Sequence, residues 1–342
     1  MAGLLAGGCA SLDYYAQSVA GQVSILAARR PFEVLLVDAG TPDTLRTRVE
    51  YVRSVRQFAA DDLALPDNGS YRTYVDIGRR YVAWSVVATP ELSLVPRTWC
   101  FPVAGCVAYR GYFDEPVAAR FAEDLRADGD DVHVAGVAAY STLGWFDDPL
   151  PSNVVDWPDA ELAGLIFHEL AHQVVYVRDD TAFNEAFAVT VEEEGVRRWL
   201  AGRTDPEALA AYERTRADRA AFLGLVFAAR ARLADLYGSD LAPESMRLAK
   251  AAIFSDLHAA CEDRETRSGG RSRYRVWCAE TPNNARLAAL ATYHDLAPAF
   301  RSLLARKGGD LPTFYASVRT LAEMPGEERR QHLAEVLAAD TQ

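Results

Sequence analysis

The sequence predicts an α+β protein, predominantly helical, in which a small sheet lobe packs on a helical one. Three observations carry that expectation. Stretches rich in β-branched and aromatic residues lie at 81–87, 101–109 and 131–140. After Pro158 nearly every segment repeats its apolar residues at helical spacing. The chain has 342 residues, half of them apolar and a quarter charged, which is globular composition with length for two lobes or one large domain.

Taken in order, residues 10–29 recur apolar at helical spacing, and Arg29-Arg30-Pro31 closes that segment. Residues 42–62 read as a charged amphipathic helix with Pro42 near its start. The three strands follow, and between the second and third a helix over 115–128 ends before Gly129. Beyond them the predicted helices are 158–177, 182–200, 205–237, 243–261, 282–305, 311–322 and 326–339. Gly269-Gly270 marks a flexible loop within the helical part. The expected organisation is a leader-like segment at 1–9, helices and small sheet at 10–157, and a helical part at 158–342. One core shared across residue 157 is the alternative.

Charge and cysteines narrow the setting. The formal net charge of −12 repels nucleic-acid phosphates and anionic headgroups, which argues against a polyanionic partner. The sequence holds no repeat and no apolar run of about 20 residues that would span a bilayer. Of five cysteines, Cys100 with Cys106 and Cys261 with Cys278 form sequence-local couples, without the C-x-x-C spacing of a structural zinc site. Two short-loop disulfides in an oxidising compartment fit that pattern; five reduced thiols are the alternative. Cys9 is left over, at the end of the small-residue run Met1-Ala-Gly-Leu-Leu-Ala-Gly-Gly. That run looks like the end of a bacterial lipoprotein signal, so Cys9 is expected to carry a lipid and to place the protein in the cell envelope or periplasm. The only membrane contact expected is that anchor. Eight residues precede Cys9 and none is positive, so with the N-terminus as written the expectation becomes cytoplasmic.

The chemistry concentrates at His168-Glu169-Leu170-Ala171-His172, an H-E-x-x-H motif. Residues four apart on a helix lie about 40° apart in azimuth and one turn up, so both imidazoles face one way. They can hold one Zn²⁺ with Glu169 beside its open position as general base. Pro158, Asp159 and Glu161 suit the start of the motif helix. Thirteen residues after His172 comes Glu185, in Asn184-Glu185-Ala186-Phe187-Ala188, beyond a polar turn at 178–181. A helical hairpin there returns Glu185 to the histidines as a third ligand. Two His, one Glu and water are a catalytic zinc set, whereas structural sites are closed by four protein ligands.

HisGluLeuAlaHisGln followed by AsnGluAlaPheAla resembles the gluzincin pattern, H-E-x-x-H with a downstream N-E-x-x-A. The chain is also similar to the bacterial predicted-aminopeptidase family related to those enzymes. TyrTyrAlaGlnSerValAlaGlyGln at 14–22, TrpCysPheProValAlaGlyCysValAlaTyrArgGlyTyrPhe at 99–113, TyrSerThrLeuGlyTrpPheAspAspPro at 140–149 and AsnAsnAlaArgLeu at 283–287 extend the resemblance along nearly the whole chain. The gap from histidine to glutamate is shorter than in typical gluzincins. The resemblance implies a zincin-like lobe with the sheet packed against the motif helix, one zinc ion per chain, a peptide substrate and aminopeptidase action. A zinc endopeptidase is one alternative. A non-catalytic, lipid-anchored envelope scaffold is another, although a brace needs no base.

Peptide hydrolysis also needs a donor for the tetrahedral oxyanion. Tyr109, Tyr140, Tyr293 and His294 are the candidates, with Tyr293-His294 preferred because a later lobe commonly closes over the metal. The strand that ends at Tyr140 is expected to pair with the substrate backbone. Arg110 is a candidate for a substrate carboxylate, and one of Glu192-Glu193-Glu194, with Glu192 foremost, for a peptide ammonium. His133, His258 and His332 have no motif partners. Nothing in the sequence sets the oligomeric state.

Overall fold

The computed structural model describes residues 6–102, 104–269 and 272–339, with side chains of the first helix described from Tyr14 onward. The leader-like residues 1–5, the side chain of Cys9 and the loop residue Gly270 lie outside the described residues. The first half runs α1 (Ala6–Ala28), β1 (Arg30–Pro31), α2 (Phe32–Val37), α3 (Asp43–Asp61), β2 (Thr73–Val75), β3 (Ala83–Pro90), β4 (Trp99–Phe101), β5 (Gly105–Val107), β6 (Arg110–Tyr112), α4 (Glu115–Ala127), β7 (Asp130–Val137) and β8 (Leu150–Pro151). The second half is helical: α5 (Ser152–Val155), α6 (Asp159–Ala171), α7 (Thr181–Ala201), α8 (Pro206–Tyr237), α9 (Pro243–Arg267), α10 (Arg275–Ala279), α11 (Asn284–His294), α12 (Ala297–Arg306), α13 (Leu311–Ala322) and α14 (Gly326–Ala338). This is the helix-dominated α+β architecture that the sequence predicts.

Differences from the expected elements have local causes. The helix expected over 158–177 stops at Ala171, because the Asn184 amide holds both the N–H and the C=O of Val177 at 2.8 Å. The segment 282–305 is two helices, α11 and α12. Pro298 lacks the N–H an unbroken helix needs and sits instead in the first turn of α12. The stretch 101–109 holds the end of β4 and all of β5, which opens at Gly105, whose φ of +76° favours glycine. Cys100 and Cys106 face each other across that hairpin in a disulfide, and a second joins Cys261 on α9 to Cys278 on α10.

A three-stranded sheet in the order β6-β3-β7, antiparallel throughout, makes one wall of the molecule's cleft. Its two faces differ, as strand alternation requires. Trp84, Val86, Tyr112 and Val132 are buried on the back, against Ala118 and Ala122 of α4. Ala83, Ser85, Gly111 and Ala135 sit on the front, which is open to the cleft. α11 lies against β3, β7 and α7, and so joins the sheet to the helical part. The front of the sheet and α6 line the same cleft. The main apolar core runs from Phe32 and Leu35 through α6 and α7 to Leu333 and Val336, so it draws on both sides of residue 157. No described helix is long and apolar enough to cross a membrane.

Candidate metal centre

The hairpin of α6 and α7 is the scaffold. α6 starts after Pro158 with Asp159 and Glu161 in its first turn, where carboxylates meet the positive end of the helix. Its residues 162–164 and 166–171 are all buried, which fixes its rotation. α7 starts at Asp180, whose carboxylate caps the helix by accepting from Phe183 N–H at 3.1 Å. The two helices approach closely through glycines. A Cβ at Gly164 would stand 3.2 Å from Glu192 Cγ, and one at Gly195 would stand 2.7 Å from the Phe167 ring. That contact brings the start of α7 alongside the end of α6.

As a result, His168, His172 and Glu185 converge. One ligand atom from each lies within 4.8 Å of the others. Glu185 Oε2 is 3.3 Å from His168 Nε2 and 3.6 Å from His172 Nε2. Each of the three is at most 9% exposed, and Glu169 beside them is 7% exposed. Burial alone would lower the His168 imidazole, but its hydrogen bonds to the Glu185 and Glu192 carboxylates outweigh it and hold it well above its ordinary value. Burial would raise the Glu185 carboxyl, yet the His172 charge and both imidazole contacts bring it down to about 2. The carboxylates of Glu169, Glu185 and Glu192 surround the two imidazoles, an arrangement that favours positive charge. Two imidazoles and a carboxylate at this spacing fit a divalent cation, and that donor set suits zinc.

Glu192 has a different place from the one expected. Its Oε2 lies 3.1 Å from His168 Nδ1, behind the ring and away from Nε2. From there it fixes the imidazole's orientation and tautomer. Sequence reasoning missed this role, although the spacing contained it: Glu185 and Glu192 are seven residues apart, two turns along one face of α7. Glu192→Gln is expected to weaken metal binding by about 10–100-fold with the fold intact. Competition against a chelating dye, alongside circular dichroism, measures it. Glu193 and Glu194 are taken up elsewhere, Glu193 by Arg216 and Arg301, Glu194 by Arg197 and Arg198.

The cluster of His168, His172 and Glu185 opens into a cleft of about 750 Å³. Tyr109, Tyr140, Tyr293 and His294 all line it. The Tyr293 ring lies 6.3 Å from that of His168, centroid to centroid, and the Glu185 carboxylate raises its phenol well above the ordinary value. Tyr140 spends its hydroxyl on Gln22 Oε1. His294 keeps a buried Nδ1 without a partner, and burial with the Arg219 charge pushes its imidazole down to about 4. Arg110 is not brought to the cleft. Its guanidinium lies 4.2 Å from the Tyr14 ring centroid and 4.7 Å from that of Phe121. Two further polar residues escaped the sequence reading, Asn184 as the clamp on Val177 and Gln173, whose amide bonds Asn68 and Ser70.

A family model described as "Putative aminopeptidase" matches residues 13–333. No curated protein and no solved structure matches the chain.

Proposed function

The chain belongs to that aminopeptidase family, and from this membership we propose that it is a zinc-dependent peptidase that removes residues from peptide N-termini. The observation that supports the reading most directly is the convergence of His168, His172 and Glu185, with Glu169 alongside but outside the ligand set. A structural brace would be closed by a fourth protein ligand and has no use for a buried Glu169. His168, His172 and Glu185 would hold the ion, which would polarise the scissile carbonyl and acidify water.

The chain's own residues do the rest. Glu169 accepts a proton from the attacking water and delivers it to the leaving amine nitrogen. Burial pushes its carboxyl above the ordinary range, which suits a group that must hold a proton between two steps. The Tyr293 hydroxyl, on a ring beside that of His168, donates to the developing oxyanion. Tyr293→Phe is expected to lower kcat by about 10²-fold with KM little changed, measured on one peptide under saturating conditions. Unchanged kinetics would move the role to Tyr109, whose hydroxyl also senses the charges of Glu185 and Glu169.

β7 is an edge strand of its sheet, and His133, Ala135, Gly136 and Val137 line the cleft, which supports strand-wise pairing of a substrate backbone there. Exo-cleavage is tested by giving the enzyme one peptide with a free and with an acetylated N-terminus. The reading requires the acetylated form to resist cleavage. Equal cleavage of both would make the protein an endopeptidase. An envelope location with lipid on Cys9 belongs to the same proposal, and the two disulfides accord with an oxidising compartment. A diacylglyceryl mass on Cys9 in protein from the native host is the expected result, and an intact Met1 rules it out.

A further inference from the structure

We propose that the substrate residue beside the scissile bond carries a large, uncharged apolar side chain, received by the front of the β6-β3-β7 sheet with Ser85 and Ala135 setting its size. This rests on the peptidase reading of the same site. The register places Ser85 opposite both Ala135 and Gly111, and Ala83 opposite Val137, so these residues share one face. The back of the same strands carries the bulk and is filled by α4. Because the front residues are small, space remains before them, and a volume of about 750 Å³ is that of a ligand site.

The apolar lining reaches the reacting centre. Leu165 stands one helical turn before Glu169, and Val189 one turn after Glu185, and both line the cleft.

The charges that line the cleft are already engaged. Glu161 is paired with Arg273, Glu192 with His168, and Arg219 lies 3.9 Å from Glu193. Glu169 and Glu185 belong to the metal cluster. His133, on the front of the sheet, is pushed down to about 4 by burial and by the Arg286 charge, so it is neutral at pH 7. Away from the metal-ligand cluster each charged lining residue already has a partner, so a lysine, arginine or acidic side chain at the front of the sheet would be buried unpaired, which is costly.

The test is a peptide library digested by the zinc-loaded enzyme, with cut sites read by mass spectrometry. Phe, Leu, Met or Tyr next to the cut is expected at least about tenfold ahead of Ala, Lys or Glu. Ala135→Leu should shrink the Phe-to-Ala ratio of kcat/KM by at least about tenfold, and Ser85→Val gives the same comparison if the first variant folds poorly. Preference for small or charged residues, or an equal loss on every substrate, would overturn the proposal. Calorimetry of the same peptides on zinc-loaded Glu169→Gln separates it from the peptidase reading. If the native enzyme cleaves nothing while that variant binds apolar peptides in the expected order, and Ala135→Leu abolishes the order, the side-chain site stands and the peptidase reading falls. Binding without that order removes the side-chain site.

Discussion

Glu169→Gln is expected to lower peptide hydrolysis by about a thousandfold while the protein keeps its metal and its fold. Glutamine has the shape of glutamate and can still hydrogen-bond, but it cannot take a proton. The ligand cluster comprises His168, His172 and Glu185, so the substitution leaves every ligand atom in place. The loss should fall on kcat with KM nearly unchanged, because the proton moves only on the way to the transition state. Activity within a few fold of native would mean that the base is another group. Loss of metal together with activity would mean that Glu169 helps hold the ion. Each result points to a different site from the one described, so the variant reads mechanism and ligation separately.

The second large effect is on stability. Arg329→Met is expected to destabilise the protein by about 3–5 kcal/mol, the cost of leaving one partner of a buried ion pair uncompensated. Arg329 on α14 donates from Nε and Nη2 to Asp180 Oδ2, at 3.1 and 2.7 Å, and from Nη1 to the carbonyls of Ala322 and Met324. The two side chains are 5% and 11% exposed, so water replaces little of what is lost. Asp180 is also the cap of α7, and the guanidinium lies over the Phe183 ring at 5.0 Å. One contact thus ties the C-terminal helix to the start of the helix that carries Glu185. Denaturant unfolding measures the change, and Asp180→Asn combined with Arg329→Met should recover part of it, since neither charge is then stranded. A change under 1 kcal/mol would show that solvent reaches the pair.

Much of this was legible in the sequence, for reasons that differ by element. The long helices announced themselves through apolar spacing over many turns, and the H-E-x-x-H pair through helix geometry alone. Glu185 was legible because a polar turn and an Asn-Glu pair open the following helix. What stayed hidden depends on contacts between segments. α2, α5 and α10 are too short to show a period. The end of α6 is set by Asn184, a residue from the next helix, so local propensity over 172–177 gave no sign of it. Glu192 sat in a run of three acids whose partners only the fold assigns: an imidazole for one, arginines for the other two. Arg110 was misplaced for the same reason, since the rings that hold it come from α1 and α4.

Elemental mass spectrometry of the native protein and of His168→Ala, each paired with a peptide-cleavage assay, tests the central claim most directly. One zinc per chain in the native protein, lost along with activity in His168→Ala, is the predicted result. A native protein that binds no metal, or a His168→Ala protein that keeps its zinc, would contradict it.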